Sequence, residues 1–260
     1  MTRRGEIMKV KTKFTICLIS AFLAVGTVFA DESAVRQDAK ALDVLKSMSA
    51  YTDSLDQVVI VGVTHTDARL GGGLMVSNAD EVKVTLNRPD SLHIASFDGV
   101  ETRELIFHQE TLTVFDSEKG FYAQASIPSG VDAALEFALE ELDIEAPLMD
   151  FIVRDKLTNL ISSQETVIYL TDKARVAGVD CHHIAIRGPE TDVQLWIEEG
   201  DKPLPRKIMF TSKWAGGSPR FMANLAWLTE PELDPDIFEF KAPEGSMNIG
   251  FVQYIGNEGE

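Results

Sequence analysis

Disulfide stabilisation is closed to this chain. Its 260 residues hold two cysteines, and Cys17 lies in an apolar stretch near the amino terminus, after Phe14-Thr15-Ile16, a poor context for lipid attachment. Once that stretch is removed Cys181 stands alone, so stability has to come from a packed core. Positive charge is scarce as well: 24 Lys and Arg stand against 41 Asp and Glu, a net charge of −17. A surface of that sign repels phosphate backbones and anionic headgroups, which excludes nucleic acid and argues against a permanent membrane anchor. No apolar run reaches the ~20 residues of a membrane-spanning helix. His65, His93 and His108 fall singly in separate runs, so no zinc-ligand spacing exists. Gly71-Gly72-Gly73 and Ala215-Gly216-Gly217-Ser218 lack the following lysine and helix of a phosphate loop and read as turns.

What is present begins with an export signal. Lys9, Lys11 and Lys13 form a basic region, Phe14 to Val25 an apolar region and Val28-Phe29-Ala30 a small-residue cleavage site. Residues 1–30 are therefore expected to be removed, leaving a periplasmic protein that begins near Asp31. Residues 31–260 show no repeat, linker or low-complexity tract, and one domain is the expected organisation.

Ser33 to Ser49 has the spacing of an amphipathic helix, with Val35, Ala39, Leu42, Leu45 and Met48 on one side and Ser33 as its cap. From Leu55 to Ala125 the period changes to two. Val82, Val84 and Leu86 alternate with Lys83, Thr85 and Asn87, and Asp98-Gly99 and Lys119-Gly120 mark tight turns of an antiparallel meander. Gly71-Gly72-Gly73 ends one of its hairpins. After Pro128-Ser129-Gly130, Val131 to Leu142 returns to helical spacing, and Pro147 opens a short helical stretch with Leu148, Met149, Phe151 and Ile152, continued by Leu157 to Ile161. Strands resume over Thr166–Thr171, Cys181–Ile186, Val193–Ile197, Lys207–Lys213 and Phe221–Leu228. The order is helix, meander, helical insert, meander, which predicts an α+β fold with helices on one face of an antiparallel sheet.

No catalytic set emerges. In a strand Cys181 and His183 share a face and His182 points away, so Cys181-His182-His183 is neither a metal site nor a nucleophile with an oriented base. Glu136, Glu140, Glu141, Asp143 and Glu145 crowd on and just after one amphipathic helix as a solvated face. No cofactor, metal or catalytic residue is assigned. Pro203-Leu204-Pro205 sets a rigid entry into a strand. Arg206 after it is a candidate for a carboxylate or phosphate headgroup, with pairing to one of the many acids as the alternative.

The stretch from Gly178 to Gly245 carries a fixed skeleton: Gly178, Cys181, His183, Gln194, Trp196, Pro203, Pro205, Arg206, Pro219, Trp227, Phe238, Phe240, Pro243 and Gly245. It resembles the carboxyl-terminal half of a family of predicted periplasmic proteins grouped with the lipoprotein carriers LolA and LolB and with LppX. The resemblance implies an unclosed antiparallel β-barrel, a half-barrel, whose concave face is covered by helices around a hydrophobic cavity. It assigns no activity.

Joined to the alternation, this reading predicts a non-enzymatic protein that binds or ferries a lipid or lipoprotein acyl chains. The expected lining is Val82, Val84, Leu86, Leu195, Ile197, Ile208, Phe210, Phe221 and Leu225 on the strands. Phe137, Met149, Phe151 and Ile152 line it from a lid of residues 131–161, with ordinary core packing against the sheet as the alternative, since periodicity does not separate a filled core from an empty one. The alternative is an interaction or sensor module that docks an envelope protein through Trp196, Trp214 and the acidic helix.

Overall fold

The polypeptide is built around one sheet that never closes. The computed structural model describes residues 37–127, 130–144, 146, 148–155 and 167–251; the export segment, Ser33, Pro128-Ser129, Pro147 and Leu157–Ile161 lie outside them. Helix α1 (Ala39–Asp53) precedes six strands, β1 (Gln57–Arg69), β2 (Met75–Asn87), β3 (Ser91–Phe97), β4 (Thr102–His108), β5 (Thr111–Asp116) and β6 (Phe121–Ser126). Helix α2 (Gly130–Glu140) and a 3-10 turn at Met149–Phe151 interrupt the sheet. It resumes with β7 (Val167–Val176), β8 (Val179–Arg187), β9 (Thr191–Glu198), β10 (Pro205–Ser212) and β11 (Arg220–Leu228), and the short β12 (Met247–Asn248) comes last.

The spatial order is β12-β6-β5-β4-β3-β2-β1-β11-β10-β9-β8-β7. Each half is a meander of neighbours, and the halves join where β1 pairs with β11, from Val59 opposite Leu228 to Thr66 opposite Phe221. All pairings are antiparallel except β12 against β6, which is parallel. The outermost strands, β7 and β12, are not hydrogen-bonded to each other. The result is the expected α+β half-barrel.

Alternation decides the two faces. On β2, Val82, Val84 and Leu86 are buried while Lys83 is exposed, and on β9 Val193, Leu195 and Ile197 are buried while Gln194 and Trp196 are half-buried. The inward side chains join Ala41, Leu45 and Met48 of α1 and Val131, Ala134, Leu135 and Ala138 of α2 in one core. These helix positions recur at three- and four-residue steps, so each helix lays a single stripe on the sheet. Burying each large aliphatic side chain contributes about 1.5–3 kcal/mol, and Phe107, Leu92, Ile94 and Leu112 are entirely buried.

Helix α1 differs from its sequence reading. Its cap is Asp38, whose carboxylate accepts from the Ala41 N–H at 3.0 Å, and it runs to Asp53 rather than Ser49. Gln37 bridges to Ile168 of β7, and the Asp38 N–H donates to the Ile168 carbonyl. That backbone pairing holds the chain extended just before the helix, and Asp satisfies the orphan N–H groups as well as Ser would.

The outward face is half covered. After β11 the chain crosses back over β3, β4 and β5 as a strap that contains Phe238 and Phe240. Phe240 packs on Phe115 and Tyr122 with ring centroids 5.5 and 5.0 Å away, and Phe238 stacks on His108. Ile106, Thr113, Phe115 and Ser91, all outward by parity, are buried. Sequence alternation marked the strands but did not disclose this second, smaller core.

Candidate functional site

The largest apolar surface the fold assembles is the inward face of the sheet. Val82, Val84, Leu86, Leu195, Ile197, Ile208 and Leu225 are buried there in a single cluster, with Phe210 and Phe221 packed against it. The rings of Phe210 and Phe221 lie 6.0 Å apart. From the insert, Met149, Phe151 and Ile152 enter the same cluster and Phe137 packs on it. The structure thus brings the thirteen lining candidates together. These side chains pack together in that cluster, and the two clefts described below lie at the rim of the sheet and under the strap.

The insert is held at one corner by polar contacts. Arg88, in the turn between β2 and β3, donates from Nη1 to Asp132 Oδ2 of α2 at 2.9 Å and from Nη2 to the carbonyl of Ile152. The Val131 N–H donates to the Pro89 carbonyl at 2.9 Å. Gly130 adopts φ +61°, and a Cβ there would sit 3.1 Å from that same carbonyl, so the close approach needs glycine. Arg154 donates from Nη2 to Asp56 Oδ1 at 3.0 Å, and its backbone N–H reaches Asp132 Oδ1 at 3.4 Å. These residues line a cleft of about 270 Å³ at the rim of the sheet.

The rest of the insert is irregular. Asp143, Leu148 and Asp155 hold φ of 55°, 64° and 61°, the left-handed region that costs a non-glycine residue about 1–2 kcal/mol. Asp53, at the end of α1, meets this segment. Its carboxyl is pushed above the usual range, first by burial and then by the neighbouring Asp155 carboxylate, against hydrogen bonds from Ser49 and Asp155 that pull it down.

Arg206, the headgroup candidate, is placed on the outer face, away from the apolar cluster. Its Nε donates to Glu198 Oε2 at 2.9 Å and its Nη2 to the same oxygen. Glu198 points outward by parity, opposite to Leu195 and Ile197. The acid-pairing alternative describes this arginine.

Cys181, His182 and His183 separate as strand geometry requires. His183 stacks flat on Trp196, and its Nε2 sits 3.0 Å from Gln194 Oε1. Lys207 Nζ stands 4.7 Å from the centre of the Trp196 ring on its other side. His182 lies 3.8 Å from Glu199. Cys181 is fully buried, and burial pushes its thiol up, away from the reactive thiolate. Among the described residues no three His, Cys, Asp or Glu side chains converge to hold a metal. His93 pairs with Glu104 at 2.8 Å beside a second cleft of about 280 Å³ under the strap.

Sequence reasoning missed two contributors. Trp227 meets Phe151 edge-on at 6.3 Å and donates its Nε1–H to the Pro205 carbonyl at 2.8 Å, tying the insert to β11. The apolar alternation of β11 runs through Phe221, Ala223 and Leu225 to Trp227 and could have included it. Arg88 lies in a turn, where no periodicity signals a partner.

An open half-barrel whose apolar face is covered by helices defines the structural class. The chain belongs to the family described as predicted periplasmic protein (DUF2092), whose model matches residues 41–252, and the periplasmic location read from the sequence goes with that membership. No curated protein matches the sequence. Among solved structures the chain is similar to the lipoprotein LppX of Mycobacterium tuberculosis, at 12% identity and a TM-score of 0.46, over 76% of this chain and 99% of that one. LprF from Mycobacterium bovis gives 14% identity and a TM-score of 0.48 over 77% and 98%. A LolA superfamily protein from Nitrosomonas europaea gives 12% and 0.36 over 77% and 97%.

Proposed function

We propose that this protein is a non-enzymatic periplasmic carrier that binds a lipid or the acyl chains of a lipoprotein on the inward face of its half-barrel. One observation carries the reading: the inward face gathers a single apolar cluster, and over one flank its cover is a helical insert that Arg88 ties to the sheet through Asp132 and the Ile152 carbonyl. An acyl chain needs only apolar burial, worth ~0.8 kcal/mol per methylene, and the side chains of Phe137, Met149, Phe151 and Ile152 supply the contacts it would replace. Ligand entry requires the insert to lift from the apolar cluster that its own side chains join. Loading is therefore a two-state exchange in which apolar contacts to the insert give way to apolar contacts to the ligand.

Native mass spectrometry of protein purified from its own periplasm tests this. A lipid adduct, together with uptake of an added fluorescent fatty acid that rises in Asp132→Ala, supports the carrier. Absence of copurifying lipid and of probe uptake in both proteins sinks it. Crosslinking in cells that traps one dominant protein instead favours a docking module.

A further inference from the structure

Arg88 belongs to the sheet, but the groups that satisfy its charge belong to the insert. It continues the inward parity of Val82, Val84 and Leu86 one step past the end of β2, and its Nη2 reaches Ile152, a member of the apolar cluster. Its backbone N–H donates to the Asp56 carbonyl at 2.8 Å, which fixes it beside the start of β1. The side chain is 7% exposed, and its described hydrogen bonds go to Asp132 Oδ2 and the Ile152 carbonyl. Both partners leave if the insert lifts.

The guanidinium then needs a replacement. Of the two carboxylates that line the cleft beside it, Asp132 is carried by α2 and Asp56 stays with the sheet. Asp56 is 74% exposed, and its described partner is Arg154 rather than Arg88. Water solvates that acid, so it does not stand in for Asp132. An acyl chain seated in the insert's place shuts water away from the rim again, and with a neutral headgroup it would bury the Arg88 charge unpaired, a strongly unfavourable arrangement. A carboxylate or phosphate restores the lost bonds, because its paired oxygens match the planar fork of the guanidinium. The cleft of about 270 Å³ gives such a group room beside Arg88.

We propose that the ligand of the inward face is an anionic amphiphile whose carboxylate or phosphate headgroup replaces Asp132 on Arg88 while its acyl chain replaces the apolar side chains of the insert. Asp132 is the internal stand-in for the headgroup. Release of the insert and capture of the ligand are then one exchange of anions on one arginine. The inference rests on the carrier reading and adds the headgroup class to it.

Calorimetric titration of the delipidated protein with dodecanoate, dodecyl phosphate and dodecanol, which share one chain, tests it. Wild type is expected to bind the two anions about tenfold or more tighter than the alcohol. Arg88→Gln, checked for folding by circular dichroism, is expected to erase that preference, and Lys83→Gln on the outward face of β2 to keep it. Inorganic phosphate alone is expected not to bind, since it offers no chain to replace the insert. A measurement on wild type needs no variant: labelling of Arg88 by phenylglyoxal, read by peptide mass spectrometry, should be slowed by dodecanoate relative to dodecanol. Equal affinities in wild type, a preference that survives in Arg88→Gln, or equal labelling with the two ligands each overturns the inference. Inorganic phosphate binding as tightly as dodecyl phosphate would make this a free-anion site and overturns it too. Dodecanol binding without any preference for the anions leaves the carrier standing and removes only the headgroup assignment, whereas binding of none of the three amphiphiles removes both.

Discussion

Arg88 and Asp132 meet at 2.9 Å with the arginine side chain 7% exposed and the carboxylate 36% exposed. The pair joins the sheet to the insert, and its burial is lopsided. Removing the carboxylate strands a buried guanidinium, whereas removing the arginine leaves an acid that water can reach. Asp132→Ala is therefore expected to cost about 2–3 kcal/mol and Arg88→Ala about as much, since that change also frees the Ile152 carbonyl. A double-mutant cycle in urea should return a coupling above about 1 kcal/mol. Additive single effects would remove the pair from any account of how the insert is held.

Much of this arrangement is legible in the sequence because a strand has only two faces. The parity that puts Val82, Val84 and Leu86 inward also puts Lys83 outward, and long-range pairing only has to respect it. Helix α2 was readable for the same reason, since Val131, Leu135 and Ala138 form one stripe. The start of α1 was not, because Ser33 and Asp38 are both capable caps and the choice rests on a backbone bridge from Gln37 to Ile168, remote in sequence. The strap was hidden because Phe238 and Phe240 only show that something apolar is needed beneath them. Which outward residues supply it, Ile106 and Phe115, depends on the path of the chain. Arg206 was readable as a cation, but its partner Glu198 lies one strand away.

Gly62 marks the seam between the two halves of the sheet. A Cβ there would lie 2.4 Å from the Asn224 carbonyl oxygen and 3.0 Å from Leu225 Cδ2. The nearer obstacle is backbone, so the β1–β11 ladder itself has to move. Gly62→Ala is expected to destabilise the protein by about 1–3 kcal/mol, measured as a lower urea midpoint. An unchanged midpoint would mean that the strands can separate at the seam without cost.

The strap should detach as a unit. Phe240 bridges Phe115 and Tyr122, and Phe238 is 2% exposed beside His108. Phe240→Ala is expected to cost about 3 kcal/mol and to speed amide exchange in β12, which hangs on the end of the strap. The amides of β8 and β9, in the other half, should stay protected. Uniform loss of protection would show that the strap is part of the global unfolding unit.

Two carboxylates should give opposite pH signatures. For Asp67, burial alone would raise the carboxyl, but hydrogen bonds from the Arg220 side chain and backbone N–H and from Ser77 outweigh it and hold the group below 3.8. Its folded value is depressed, so its stabilisation is present above 3.8 and is lost as pH falls through the lower folded value. Asp67→Asn should be less stable than wild type at neutral pH by up to about 1 kcal/mol, with the gap closing in strong acid. For Asp53, burial and then the Asp155 carboxylate lift the group above 3.8. The unfolded chain holds that charge more easily, so Asp53 opposes folding above its raised value, and the penalty fades as pH falls towards 3.8. Asn can still accept the hydrogen bond from Ser49, so Asp53→Asn is expected to raise the melting temperature at neutral pH and to leave it unchanged well below 3.8. Because the relieved repulsion is with Asp155, the same substitution should fasten the insert more firmly to α1 and slow fatty-acid uptake. A stabilised variant that takes up the probe as fast as wild type would separate the packing of Asp53 from any motion of the insert.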